Sequence, residues 1–177
     1  NMISSTDELG KTSTSTYGLM NQLLTTTDAT GRTTSYTYAA TGSAAAGKPT
    51  RVTANSGRVS DTVYDALWRV VSSTIATGTA EQATNSWVFD AVGNVTSSTD
   101  ELSRTTIFVY DNRNRLVSTT DAIGRVSSTT YSADSLPLVR TFPDGTTETS
   151  TYDSAHRLLT VADALNRTTS YGYSNMN

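Results

Sequence analysis

Along this chain, short runs of β-branched, hydroxyl-bearing and aromatic residues are each closed by a cluster of Asp, Asn, Gly or Ser. The runs TTSYTY (33–38), TTIFVY (105–110) and VSSTTY (126–131) show the form, each ending on an aromatic. Alternation with a period of two marks a strand with one covered face, and Thr, Val, Ile, Tyr and Phe suit a pleated surface.

The closing aromatics are spaced regularly, at Tyr17, Tyr38, Tyr64, Phe89, Tyr110, Tyr131, Tyr152 and Tyr173, in steps of 21, 26, 25, 21, 21, 21 and 21. Seven residues before most of these anchors stands a turn residue: Gly10, Gly31, Gly57, Ser103, Gly124, Gly145 or Asn166. Asp precedes that residue by three at Asp7, Asp28, Asp100, Asp121 and Asp163; NSG (55–57) and DG (144–145) read as shortened versions. A second turn follows the aromatic, as in DALW (65–68), DAVG (90–93), DNRN (111–114) and DSAH (153–156). Asp at the first position of a type I turn accepts the local amides, and the fourth position is left-handed, which suits Gly and Asn. Ser135, His156 and Trp68 are poor left-handed residues, so their turns are expected to have other geometries.

Two turns per unit leave two strands of about five to seven residues each, or about sixteen strands in all. The expected fold is all-β: an antiparallel meander of about eight units over residues 1–177, read as one repeat array with no domain boundary. Parity adds a constraint. With identical turns, an odd period puts Tyr110 and Tyr131 on opposite faces, so each unit must carry a bulge or an unequal turn. The irregularity is expected near the Asp-x-x-Gly-Arg corner. Aromatics and aliphatics (Tyr36 and Tyr38, Phe108 and Tyr110, Tyr171 and Tyr173, with Val70, Val95, Leu116 and Leu158) should line one face, with Thr and Ser on the other. Segments 41–49 and 76–85 interrupt the spacing and read as protruding loops.

Composition narrows the picture. The hydrophobic fraction is 36%, which is thin for a two-layer core, so a wall with one modestly apolar face fits better. Net charge is −3, which gives a nucleic-acid partner no basic footprint. With no Cys there is no disulfide framework, and no apolar stretch approaches membrane-spanning length.

The segments YDNRNRL (110–116), YDSAHRL (152–158), DATGRTTSYTY (28–38) and DALNRTTSYGY (163–173) resemble RHS/YD repeats. The resemblance covers the whole chain and is looser around 38–89. It implies a long antiparallel ribbon winding into a hollow shell, tube or fibre of a secreted or cell-surface protein. Bacterial members of that family often enclose a C-terminal toxin, teneurins use a similar shell in adhesion, and YD repeats have been linked to carbohydrate binding. The partners it implies are neighbouring repeats of the same or an identical chain, with glycans or an encapsulated C-terminal effector as further ones. The tail YSNMN (173–177) joined to the head NMISSTD (1–7) also reads as an uninterrupted unit, so the segment is expected to be a window on a longer array.

Catalytic chemistry finds little footing. His156, near Asp153, Ser154 and Asp163, invites a hydrolase reading, yet it falls at the turn position of Gly93 and Asn114; catalytic, cofactor and metal sites are expected to be absent. The anchors and the turn residues Asp28, Gly31, Asp100, Asp121, Gly124 and Asp163 are expected to be structural. Arg32, Arg58, Arg104, Arg125 and Arg167, with Arg69, Arg115 and Arg157, could form ladders beside Asp or Tyr of neighbouring rungs. Trp68, in a turn, is the candidate ligand contact.

Overall fold

The computed structural model describes residues 3–40, 43 and 46–174. Asn1, Met2 and residues 175–177, which carry the tail-to-head junction, lie outside these, as do Thr41, Gly42, Ala44 and Ala45 of the first long insertion.

Sixteen strands follow one another as neighbours in one sheet, in chain order. They begin with β1 (Ser4–Thr6), β2 (Thr12–Tyr17), β3 (Leu23–Thr27), β4 (Thr33–Tyr38), β5 (Pro49–Thr53), β6 (Val59–Tyr64), β7 (Val70–Ile75) and β8 (Ala83–Phe89). They continue with β9 (Val95–Thr99), β10 (Thr105–Tyr110), β11 (Leu116–Thr120), β12 (Val126–Tyr131), β13 (Pro137–Thr141), β14 (Thr147–Tyr152), β15 (Leu158–Ala162) and β16 (Thr168–Ser170). Two compact units divide the chain: residues 1–87 with 99–103, and residues 88–98 with 104–177.

Every regular corner has one geometry. At the β11–β12 corner the Gly124 amide donates to the Asp121 carbonyl at 2.9 Å, and the Asp121 amide donates to the Arg125 carbonyl at 3.0 Å. This is a type I turn closed by a left-handed residue, the common three-residue hairpin loop. Gly124 sits at φ +82°, where an L side chain is strained. Ser135, His156 and Trp68 occupy the same position at φ +65°, +63° and +65°, so the expectation of other geometries there is corrected. Hairpin closure outweighs the left-handed penalty of about 1–2 kcal/mol. The supposedly shortened turns are also full length. Gly57 donates to Ala54 and Gly145 to Phe142, so those two corners simply lack Asp at the first position.

The parity problem is solved beside the aromatic, not at the Asp-x-x-Gly-Arg corner. Between β10 and β11, Tyr110 faces Leu116 but Val109 faces Ser118, leaving Val117 as an extra residue. Between β11 and β12 the register runs without a shift from Ser118↔Ser128 to Thr120↔Val126. One bulged residue reverses parity once per unit and returns Tyr131 to the face of Tyr110. The same shift stands beside Tyr17, Tyr38, Tyr64, Tyr131 and Tyr152.

The two faces differ as the alternation requires. Phe108 and Tyr110 are half-buried, while Ile107 and Val109 on the other face are exposed. That other face carries hydroxyl pairs across strands, such as Thr16 with Thr25 at 2.7 Å and Thr151 with Thr160 at 2.6 Å. Among the described residues only Ala76 is buried, at 2% exposure, so the wall is one sheet thick. Ala76 starts the second insertion, whose Thr77 amide donates to the Val59 carbonyl at 3.0 Å. That segment therefore folds back onto the start of β6, and its last residues, Ala83–Asn85, belong to β8; likewise Pro49 opens β5. Both boundaries of the expected loops are corrected accordingly.

Candidate functional site

Most of the described Asp and Arg side chains gather at the corners, with Arg51 and Asp61 paired instead between β5 and β6 at 2.6 Å. In the corner after Tyr110, Asp111 Oδ1 accepts the amides of Arg113 (2.9 Å) and Arg115 (3.1 Å), while Oδ2 accepts Arg115 Nε at 2.7 Å. Asp121 repeats this with Ile123 and Arg125, Asp153 with Ala155 and Arg157, and Asp163 with Leu165 and Arg167. Asp28 receives Thr30 and Arg32 amides, and Asp100 the Leu102 amide.

At Asp28, Asp111, Asp121, Asp153 and Asp163 these donors hold the carboxyl below its ordinary value. The Arg115 guanidinium leads at Asp111 and that of Arg167 at Asp163; the Arg125 and Arg157 amides lead at Asp121 and Asp153; the Thr30 hydroxyl leads at Asp28. The ion pairs are therefore local to each turn. The Arg125–Asp121 and Arg167–Asp163 pairs are open to solvent, where such pairs contribute little, whereas Arg115–Asp111 and Arg69–Asp65 are more covered.

Guanidinium groups do link successive corners in the second compact unit. Arg115 donates through Nη1 to the Ser132 carbonyl at 2.8 Å and lies 4.7 Å from the centroid of the Tyr131 ring. Arg157 lies 4.6 Å from the ring of Tyr173. Arg113 reaches the Ala133 carbonyl, and the Asn94 side-chain amide donates to Asn114 Oδ1 at 3.1 Å. Each post-aromatic corner in this row thus touches the next.

The anchor hydroxyls form the second link. Tyr131 Oη donates to the Leu116 carbonyl at 2.9 Å. Leu116 lies beyond the point where the β11–β12 ladder stops, at Ser118↔Ser128; the bulge turns the strand away, and the next anchor's hydroxyl takes the place of a ladder donor. Tyr152 does the same for Pro137 (3.0 Å) and Tyr173 for Leu158 (2.8 Å). In the first compact unit Tyr38 does so for Leu23 (2.8 Å) and Tyr64 for Pro49 (3.1 Å). Residues 89–126 match the family model described as RHS Repeat.

An RHS repeat is recognised at residues 89–126.

No curated protein matches it in sequence. Solved structures match it in fold. The crystal structure of TcdB2-TccC3 superposes with a TM-score of 0.61 at 15% identity, covering 98% of this chain and 12% of that one. The Photorhabdus luminescens Tc holotoxin pore gives 0.57 at 16% identity, covering 98% and 11%. TcdB2-TccC3 without its hypervariable C-terminal region gives 0.56 at 16%, covering 86% and 10%. Identity this low speaks for the fold alone, and the chain spans 12% or less of the chains it resembles.

Within the sheet the anchors Tyr17, Tyr38, Tyr64, Phe89, Tyr110, Tyr131 and Tyr152 each end an even-numbered strand, and Tyr173 lies just past β16. Gly31 takes the left-handed turn position. His156 takes that position too, 55% exposed, with its Nε2 3.5 Å from Asp134 Oδ2. The structure brings it to a carboxylate of the neighbouring corner and not to Ser154. No group of three or more His, Asp or Glu among the described residues could hold a metal ion. Trp68 is 57% exposed, and Lys48 Nζ lies over its ring, 5.5 Å from the centroid; one ring face already has a cation against it.

Sequence reasoning missed Arg140, which sits opposite Glu148 in the aromatic-face row and 5.8 Å from the Phe142 ring. It lines two shallow hollows, of about 380 and 310 Å³. The available signal was Phe142 standing where most pre-strand corners have Asp. The hydroxyl links were also missed, although all the anchors except Phe89 are Tyr.

Proposed function

We propose that this chain is non-catalytic wall material of a larger secreted or surface RHS-repeat assembly: a segment, 1–177, of one array that forms a shell, tube or filament. The observation that carries the reading is the use to which the corner residues are put. Asp closes its own turn, while Arg and the anchor Tyr bind one unit to the next. Side chains that could have served chemistry are thereby committed to joining strands, and each unit needs its neighbours to cover its ring, as in other repeat proteins.

A toxin cage is a special case of this wall. The likeness to TcdB2-TccC3 persists in the structure without the hypervariable C-terminal region, which supports a counterpart in the shell over one in that variable part. Electron microscopy of the full-length protein tests the proposal. A hollow or tubular particle, with a wall about 10 Å thick as for a single sheet layer, is expected. A solid globule, or turnover by this segment that disappears in His156→Ala, would overturn it.

A further inference from the structure

The sixteen strands hold four charged side chains: Arg51, Asp61, Arg140 and Glu148. They form two directly opposed cross-strand pairs, Arg51↔Asp61 between β5 and β6 and Arg140↔Glu148 between β13 and β14. Residues so placed hold their Cβ atoms about 4.5–5.5 Å apart, near enough for opposite charges to meet. The first pair closes. On the hydroxyl face Arg51 Nε donates to Asp61 Oδ1 at 2.6 Å and Nη2 donates to Oδ2 at 2.9 Å.

The second pair, on the aromatic face, stays open. Among the described residues no ion pair joins Arg140 to Glu148. The guanidinium lies instead over the ring of Phe142, just past the end of β13, 5.8 Å from its centroid. Arg140 is exposed and Glu148 half-buried. Two hollows adjoin here, sharing Thr129 and Arg140 in their linings. The smaller, of about 310 Å³, is also lined by Glu148, Tyr131, Leu138 and Ser150. One hollow therefore holds an unpaired cation, an unpaired anion and an apolar wall, all within the second compact unit.

We propose that this hollow binds a small zwitterion of the α-amino-acid class. Its carboxylate lies on the Arg140 guanidinium, its ammonium on the Glu148 carboxylate, and its aliphatic side chain against Leu138 and the Tyr131 ring. The two charges of the site stand side by side, as ammonium and carboxylate do on a single α-carbon. A guanidinium stacked on a ring keeps its N–H edge free, and that edge matches the two oxygens of a carboxylate. The volume stands at the bottom of the range of about 300–1,000 Å³ for ligand pockets, which suits one amino acid. A ligand of single charge would leave either Arg140 or Glu148 unmatched. The inference goes beyond the wall reading and does not depend on it.

Titration of the isotope-labelled chain with L-leucine, followed by nuclear magnetic resonance, tests it. Saturable shifts are expected at the Thr129, Arg140, Glu148 and Ser150 amides. N-acetyl-L-leucine lacks the ammonium and L-leucinamide lacks the carboxylate; each should bind about tenfold more weakly, having lost one charged hydrogen bond. Arg140→Gln should weaken L-leucine and N-acetyl-L-leucine alike and leave L-leucinamide unchanged. Glu148→Gln should weaken L-leucine and leave N-acetyl-L-leucine unchanged. Circular dichroism checks that both variants keep the β spectrum, and the two analogues test the same contacts on the unsubstituted chain. An absence of saturable shifts, equal affinity for L-leucine and its analogues, or a folded variant that binds L-leucine as the unsubstituted chain does would each overturn the proposal. None of these results bears on the particle shape by which the wall reading is tested.

Discussion

The hydroxyl links give the sharpest prediction. In Tyr131→Phe the ring keeps its stack under Arg115, 4.7 Å from the centroid, and loses only the bond to the Leu116 carbonyl at 2.9 Å. A net hydrogen bond contributes about 0.5–1.5 kcal/mol, and this one is solvent-accessible, so the carbonyl can rehydrate; a loss of about 0.5–1 kcal/mol is expected. For a domain of this size that lowers Tm by about 1–4 °C. Tyr171→Phe is the matched control, since among the described residues no hydrogen bond of its hydroxyl is seen. Urea unfolding followed by circular dichroism should show a lower midpoint at unchanged slope for Tyr131→Phe, with Tyr171→Phe near the unsubstituted chain. Because repeat arrays lose stability unit by unit, amide exchange should also accelerate around residues 116–118 before other regions. Equal midpoints for the two variants would refute the idea that the hydroxyl replaces a ladder donor at the bulge.

Three further outcomes follow from the same geometry. Trp68→Gly relieves a left-handed residue at φ +65° and should stabilise by about 1–2 kcal/mol less whatever the Lys48 stack contributes; a fall in Tm would show the ring to be a packing element. Deleting Val117 removes the parity reset, sends Tyr131 to the hydroxyl face, and should cost more than about 3 kcal/mol, read as a loss of β signal at temperatures where the unsubstituted chain is folded. The corner carboxyls of Asp28, Asp111, Asp121, Asp153 and Asp163 are lowered by hydrogen bonds and by guanidinium groups. Folded values below the unfolded one mean stability that is complete above about pH 4–5 and lost as pH falls through the lowered values. Midpoints should be level between about pH 5 and 7 and drop below about pH 4; a midpoint unchanged at pH 2.5 would contradict this.

Much of this architecture is legible without coordinates, because three residue classes keep phase. The anchor aromatics, the corner Asp and the left-handed Gly or Asn together locate the strands. The parity argument requires one irregularity per unit, and one is present beside six of the eight anchors. Its position was not legible: the bulged residues Leu24, Val71, Val117, Leu138 and Leu159 are ordinary strand aliphatics and Thr50 an ordinary strand hydroxyl residue, and nothing in their chemistry marks them as unpaired. Corner geometry was misjudged at Trp68, Ser135 and His156 for a different reason. A single residue's backbone preference of about 1–2 kcal/mol yields to a hairpin closed by hydrogen bonds on both sides. The hydroxyl links were invisible because donor and acceptor lie fifteen residues apart and meet only once the bulge has turned the strand.

The account rests on that bulge beside the anchor, which lets an odd period build a wall with all its rings on one face. Cross-strand Hα–Hα nuclear Overhauser contacts in the Tyr110 hairpin test it most directly. The predicted result is Tyr110 against Leu116 with Val109 against Ser118, and Val117 skipped. Val109 against Val117, in an unbroken ladder, would contradict it.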